Sequence, residues 1–283
     1  MTLTNFIPEL WSARLQASLR STLRFAQPGI INRDYEGDIR EAGDTVHINS
    51  LGSVTINNYA RNTDILPPQE LEDASAMLTV DQQKYFHFQI DDLDAAQMRT
   101  SVMQGAMNEA SYRLALVTDA YVAAMMVAGA SPANAIGSDA TPVAPTALTA
   151  YELLVDLGVR LDEALIPDMD RFAIIPPWFI GLLRKDDRFT HATAAGDSMI
   201  RNGRVGDVAG LNLVVSTNVP NTAGTKYKIL AGTSAATTFA DVVNKVEAYR
   251  PERRFADAVK GLHLYGAKVI RPEALAVMTV NRA

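Results

Sequence analysis

A mixed α+β fold is predicted by three observations on this 283-residue sequence. Apolar and polar residues alternate between positions 46 and 90, a helical period runs unbroken over 92–128, and strand-like segments return between 211 and 280.

Each element has its own signal. Over 8–23, Trp11, Leu15, Leu19 and Leu23 recur at four-residue steps, and Pro8 suits a first helical turn, so a short amphipathic helix is expected. The first 33 residues carry Arg14, Arg20, Arg24 and Arg33 against Glu9, a basic arm on an acidic chain. That pattern fits a solvated helix face or an arm lying toward a polyanion. From 44 the period becomes two. Val46 and Ile48 alternate with His47 and Asn49, Val54 and Ile56 with Thr55 and Asn57, and a return strand runs through Leu78, Val80, Phe86, Phe88 and Ile90. Such a ribbon needs another surface, because isolated two-stranded hairpins are marginal in water, and a neighbouring molecule is the expected one.

Residues 92–128 predict one helix of about 55 Å at 1.5 Å per residue, with Ala95, Met98, Val102, Ala106, Ala110, Leu114, Val117, Tyr121 and Met125 inward. It stops at Gly129, with Pro132 just beyond. The Pro-punctuated stretch 129–147 reads as a linker and a boundary. Beyond it come a helix from about 146 with Leu154, Leu157, Leu161 and Leu165 inward, a buried strand at 172–175 and a short helix over 177–184. A loop is expected over 187–204. Strands follow at 211–216 and 227–231, then a short helix near 238–243, then strands at 246–249, 258–270 and 275–280. Gly261 and Gly266 are expected to bend the penultimate strand.

Composition excludes several function classes. Cysteine is absent, which removes disulfides, thiolate metal sites and cysteine nucleophiles. A net charge of -6 argues against tight phosphate gripping. No run approaches the roughly 18 apolar residues of a membrane span, and the start does not read as a signal peptide, so the chain is expected to be soluble and made in the cytosol. His47, His87, His191 and His263 lack metal-ligand spacing and read as polar outward positions on strands or loops. Asp91, Asp92 and Asp94 fit the opening turn of the long helix, while Asp168 and Asp170 flank a turn after Pro167. Gly196-Asp197-Ser198-Met199 superficially resembles an esterase nucleophile block but lacks the preceding buried strand. Gly203, Gly206 and Gly210 do not match the dinucleotide fingerprint. No catalytic residue, cofactor or metal is expected.

Several phrases carry a family likeness. The runs Asn5-Phe6-Ile7-Pro8-Glu9-Leu10-Trp11-Ser12, Asn32-Arg33-Asp34-Tyr35-Glu36-Gly37-Asp38-Ile39 and Ala42-Gly43-Asp44-Thr45-Val46 are among them. So are Glu247-Ala248-Tyr249-Arg250-Pro251-Glu252, Ala256-Asp257-Ala258-Val259-Lys260-Gly261-Leu262-His263 and Gly266-Ala267-Lys268-Val269-Ile270-Arg271-Pro272-Glu273-Ala274-Leu275. Together they resemble tailed-bacteriophage major capsid proteins.

The resemblance implies the Hong Kong 97-type coat fold, with 1–35 as N-terminal arm and 36–91 as extended β-hairpin loop and its base. The peripheral domain with its spine helix would be 92–145, the axial domain 146–245, and 246–283 strands returning to the peripheral domain. It implies self-assembly as pentamers and hexamers into an icosahedral head shell around double-stranded DNA, assembled in the bacterial host cytoplasm, with no membrane partner. Expected partners are further copies, a portal, decoration proteins and weak non-specific DNA contact through an inward-facing Arg14, Arg20 and Arg24. Because the sequence starts at its arm without a long helical pre-segment, a separate scaffolding protein is expected. Candidate subunit-interface residues are Trp11, Val54, Ile56, Tyr59, Arg61, Phe86, Arg250, Glu252, Arg253 and Arg254. Alternatives are an encapsulin-like compartment shell and a Ser198-dependent hydrolase.

Overall fold

The computed structural model describes residues 23–35, 45–51, 56–59, 61–62, 64, 67, 73–91, 102–186, 207–253 and 255–282. In chain order its strands begin with β1 (Thr45–Leu51), β2 (Asp73–Thr79), β3 (Gln82–Asp91), β4 (Ala135–Ile136), β5 (Arg171–Ile175) and β6 (Asp207–Val208). They continue with β7 (Leu211–Val215), β8 (Asn221–Thr222), β9 (Lys226–Thr233), β10 (Thr237–Tyr249), β11 (Ala256–Val269) and β12 (Leu275–Asn281). The helices are α1 (Val102–Gly129), α2 (Ala150–Glu163) and α3 (Pro177–Leu183).

The 28 residues of α1 extend about 42 Å and end at the glycine that the sequence marks. Its buried positions, Met107, Ser111, Leu114, Thr118, Val122 and Met126, step by three and four. This stripe is rotated from the expected one. Val117 is exposed, whereas Ser111, Thr118 and Asp119 lie on the buried side. The cause is the segment 23–31, whose Leu23, Phe25, Ala26, Ile30 and Ile31 pack with Leu114, Ala115, Val122, Ala123 and Met126 in one core cluster. The base of the arm is therefore part of the core. Met107 and Met126 are buried packing residues.

The three-stranded antiparallel sheet has the order β10-β11-β3. The helix expected near 238–243 is strand instead. Thr237, Thr238, Val242 and Val243 are β-branched, stiff at χ1 and suited to a pleated surface, and the long ladder to β11 takes them up. Asp91 closes β3 opposite Ala256 rather than opening the helix; Asp92 and Asp94 lie outside the described residues. β1 and β2 form a separate two-stranded ribbon, in register from Thr45 opposite Thr79 to Leu51 opposite Asp73. Phe86, Phe88 and Ile90 thus return in the sheet, not in the ribbon.

The seven-stranded sheet runs β4-β12-β9-β5-β7-β6, with β8 added on β9. β5 is buried along its whole length, as a strand flanked on both faces must be. One face packs on α2 and α3 through Leu154, Leu157, Leu161, Phe179 and Leu183. On the other face Phe172, Ile174, Leu230 and Leu275 join the cluster shared with α1 and the arm base. Leu165, expected inward, is 90% exposed just past the helix end, with φ 56°. The stretch 129–147 does more than link. β4 pairs in parallel with β12, and Val143 exchanges backbone hydrogen bonds with Thr279 (2.9 Å) and Asn281 (2.7 Å). Among the described residues no helix is long and apolar enough to cross a membrane.

Candidate assembly surface

The register of the three-stranded sheet sorts its residues onto two faces. One face carries Phe86, Phe88, Val246, Val259 and Tyr265; Phe86, Phe88, Val246 and Val259 cluster with Met107 of α1, and Tyr265 lies in the core shared with the arm base. Phe86 also lies over Gly261, where a Cβ would collide with its ring. That glycine makes room for an aromatic ring rather than a bend.

The other face is divided along its length. At one end Ala240 and Leu264 are covered by Ile48, Leu78 and Val80, the apolar side of the ribbon. Gly266 lets the ribbon approach, because a Cβ there would strike the Thr79 carbonyl and the Val80 backbone. The apolar side of the ribbon base therefore has a home in its own chain, contrary to the expectation that it needs a neighbour. At the other end the same face is bare. Tyr85 is 78% exposed, opposite Leu262; His87 lies opposite Lys260, and Lys260 opposite Glu247.

These bare side chains hold one another. Tyr249 Oη and His87 Nε2 are 2.7 Å apart, with the rings stacked at 5.8 Å. Lys260 Nζ lies 2.8 Å from Glu247 Oε2 and 5.5 Å from the centre of the Tyr249 ring. The hydrogen bond that Lys260 donates to Glu247, together with the carboxylate's charge, raises the Lys260 pKa above the ordinary lysine value. The result is a pre-set aromatic platform with one fixed cation, around a hollow of about 380 Å³ lined by Tyr85, His87, Glu247, Tyr249, Lys260, Gly261 and Leu262. Its parts come from the consecutive strands β10 and β11 and from β3, which is far from them in sequence, so the period of each strand marks an outward side but not the assembled surface.

Of the residues expected at interfaces, Ile56 (94%) and Tyr59 (72%) are exposed, as are Arg61, Arg250, Glu252 and Arg253. Arg250 lies 3.7 Å from Asp257. Phe86 is half-buried toward α1 within its own chain, and its neighbour Tyr85 faces out. Trp11, Arg14, Arg20, Val54, Arg254 and Ser198 lie outside the described residues. Arg24 has an exposed side chain, but its amide is bound to Asp119.

Two buried groups went unforeseen. Arg33 lies over the Phe239 ring and donates to Asp241 at 2.5 Å. His263, expected on an outward polar face, is fully buried with Nε2 3.6 Å from Asp241. The other is Asp119, 2% exposed on α1. Among the described residues no three of His, Cys, Asp or Glu group so as to hold a metal ion.

A family model described as phage capsid protein matches residues 76–278. Among solved structures, that of Mycobacterium phage Che8 is similar at 26% identity, over 98% of each chain, with TM-score 0.71. The capsid of cyanophage P-SCSP1u matches at 18% identity over 87% of this chain and 85% of that one, TM-score 0.70. The holo-SrpI encapsulin complex from Synechococcus elongatus PCC 7942 matches at 13% identity over 86% and 84%, TM-score 0.51. No curated protein matches the chain by sequence.

Proposed function

The chain belongs to the phage capsid protein family and is a major capsid protein of the Hong Kong 97-type fold, a structural protein of the virion shell built from copies of itself; on that premise we propose that copies join by laying the distal ribbon of one subunit on the bare sheet end of the next. The observation that carries this reading is the divided face. One half of it already accepts a ribbon, its own, and the other half offers aromatic side chains to solvent. Ile56, Tyr59 and Arg61 beyond β1 are the matching exposed group, and Arg61 finds an opposite charge in Glu247. Burial of such aromatic area on association is favourable by the hydrophobic effect.

In this reading pentamers and hexamers close an icosahedral head around double-stranded DNA, assembled in the host cytoplasm, and the chain has no catalytic task. The loop with Arg250, Glu252 and Arg253 supplies alternating charges where subunits meet. The parts are assigned as arm 1–35, ribbon 36–91, peripheral domain 92–145 and axial domain 146–245. The closing segment 246–283 is shared: β11 serves the three-stranded sheet and β12 the seven-stranded one. A separate scaffolding protein, a portal and decoration proteins are the proposed partners, with weak DNA contact through Arg14, Arg20 and Arg24. The likeness to an encapsulin is one of fold and is the weaker one.

Because the chain lacks cysteine, the contact can be tested by mixed cross-linking. Particles assembled from equal parts Tyr59→Cys and Tyr85→Cys chains should yield disulfide-linked dimers of one chain with the other. Closed shells without that mixed dimer would refute the docking, while leaving the family intact.

A further inference from the structure

Asp119 sits in the middle of α1 with almost no access to water. Its partners are three consecutive backbone amides of the arm base: Oδ2 accepts from Arg24 at 2.7 Å, and Oδ1 from Phe25 at 3.1 Å and Ala26 at 3.2 Å. Successive amides aimed at one point form an anion-binding concavity. A carboxylate has enough lone pairs to serve all three, whereas an amide side chain presents one oxygen. Around it Leu23, Phe25, Ala26, Ile30 and Ile31 are buried, so this carboxylate lies under the point where the arm meets the body.

We propose that Asp119 is a proton-operated clasp: protonated, it holds residues 23–31 more tightly on the spine helix, and ionised, it eases their release. Burying a charge is costly even when it is hydrogen-bonded. Burial is the largest influence on Asp119 and pushes its pKa up to about 6, against the three amides and the Arg24 charge, which pull it down. An arm base lifted off the helix would return the carboxyl to water and to its ordinary value near 3.8. The docked form therefore binds the proton more tightly, and linkage makes docking about tenfold more favourable at pH 5 than at pH 7.5.

Arg24 is the charged side chain that acts on Asp119 directly; the other charged and titratable groups on the elements that meet here are Arg33 of the arm, Asp241 of β10, and His263 and Tyr265 of β11. Asp81, before β3, meets Tyr121 of α1 at 3.2 Å. His263, which faces the Asp241 that holds Arg33, is the rival proton-binding group.

Hydrogen exchange of the full, unassembled chain, corrected for intrinsic rates, separates the two. In the wild type, protection of the peptide covering 23–31 should rise about tenfold from pH 7.5 to 5, while β12 stays level. Asp119→Asn should flatten that rise, and His263→Gln should keep it. A level wild-type profile overturns the clasp and needs no variant to fold. A rise that survives Asp119→Asn, or vanishes only in His263→Gln, also overturns it. The readout is internal to one chain, so failure of shell formation would leave it standing.

Discussion

Gly266→Ala probes the seat on which the ribbon rests. A Cβ at this position would meet the Thr79 carbonyl and, at 2.9 Å, the Val80 Cα. Both are backbone atoms, so no side chain can turn away to make room; either β11 or the ribbon base must move. The ribbon base buries Ile48, Leu78 and Val80 there, and forcing an extra methyl group into such packing costs about 1–3 kcal/mol. For a chain of this size that is a fall in Tm of several degrees. The measurement belongs on unassembled protein, because association adds its own stabilisation. Thermal or denaturant unfolding should show the loss, and hydrogen exchange should show β1 and β2 opening first. Wild-type Tm together with unchanged protection of β1 and β2 would refute the close approach.

Gly105→Ala, at an exposed helical position with nothing within 4 Å of the added carbon, should stabilise the chain by up to about 1 kcal/mol in denaturant titration. Arg171→Met should cost about 2–3 kcal/mol, because the buried guanidinium donates to the carbonyls of Ile166 and Pro167 and pairs with Asp162 at 2.7 Å. The same unfolding experiment checks it. Glu247→Lys on the open platform, which reverses the charge proposed to meet Arg61, should leave unfolding within about 1 kcal/mol of wild type because its pair with Lys260 is exposed, yet reduce the assembled fraction in sedimentation. The raised pKa of Asp119 contributes stability that is complete below pH 3.8 and is lost as pH rises through about 6. Its ceiling is about 3 kcal/mol, and Asp119→Asn should remove that part of the pH–stability profile.

Periodicity made the body of the fold legible. Leu154, Leu157 and Leu161 are buried as their spacing requires, β5 is buried throughout, and α1 stops at Gly129. The errors fall where a local pattern is settled by distant partners. Residues 238–243 read as a short helix until the β11 ladder is known. Gly261 and Gly266 read as bends, although one faces a ring and the other a crossing backbone. Val117 is apolar and exposed, while Ser111 and Asp119 are polar and buried, because the arm base covers one side of α1. Apart from Trp11 of the arm, the expected interface residues came from the ribbon segment and from a charged loop, both visible as runs. Tyr85, His87, Tyr249 and Lys260 become one surface only through strand register, which no single run reveals.

Self-association of this one chain is the central claim, and particle size tests it most directly. Sedimentation and negative-stain electron microscopy of the purified protein, with a scaffolding fraction supplied, should show closed shells of many 30.7 kDa copies. Solitary 30.7 kDa particles at every concentration would contradict it.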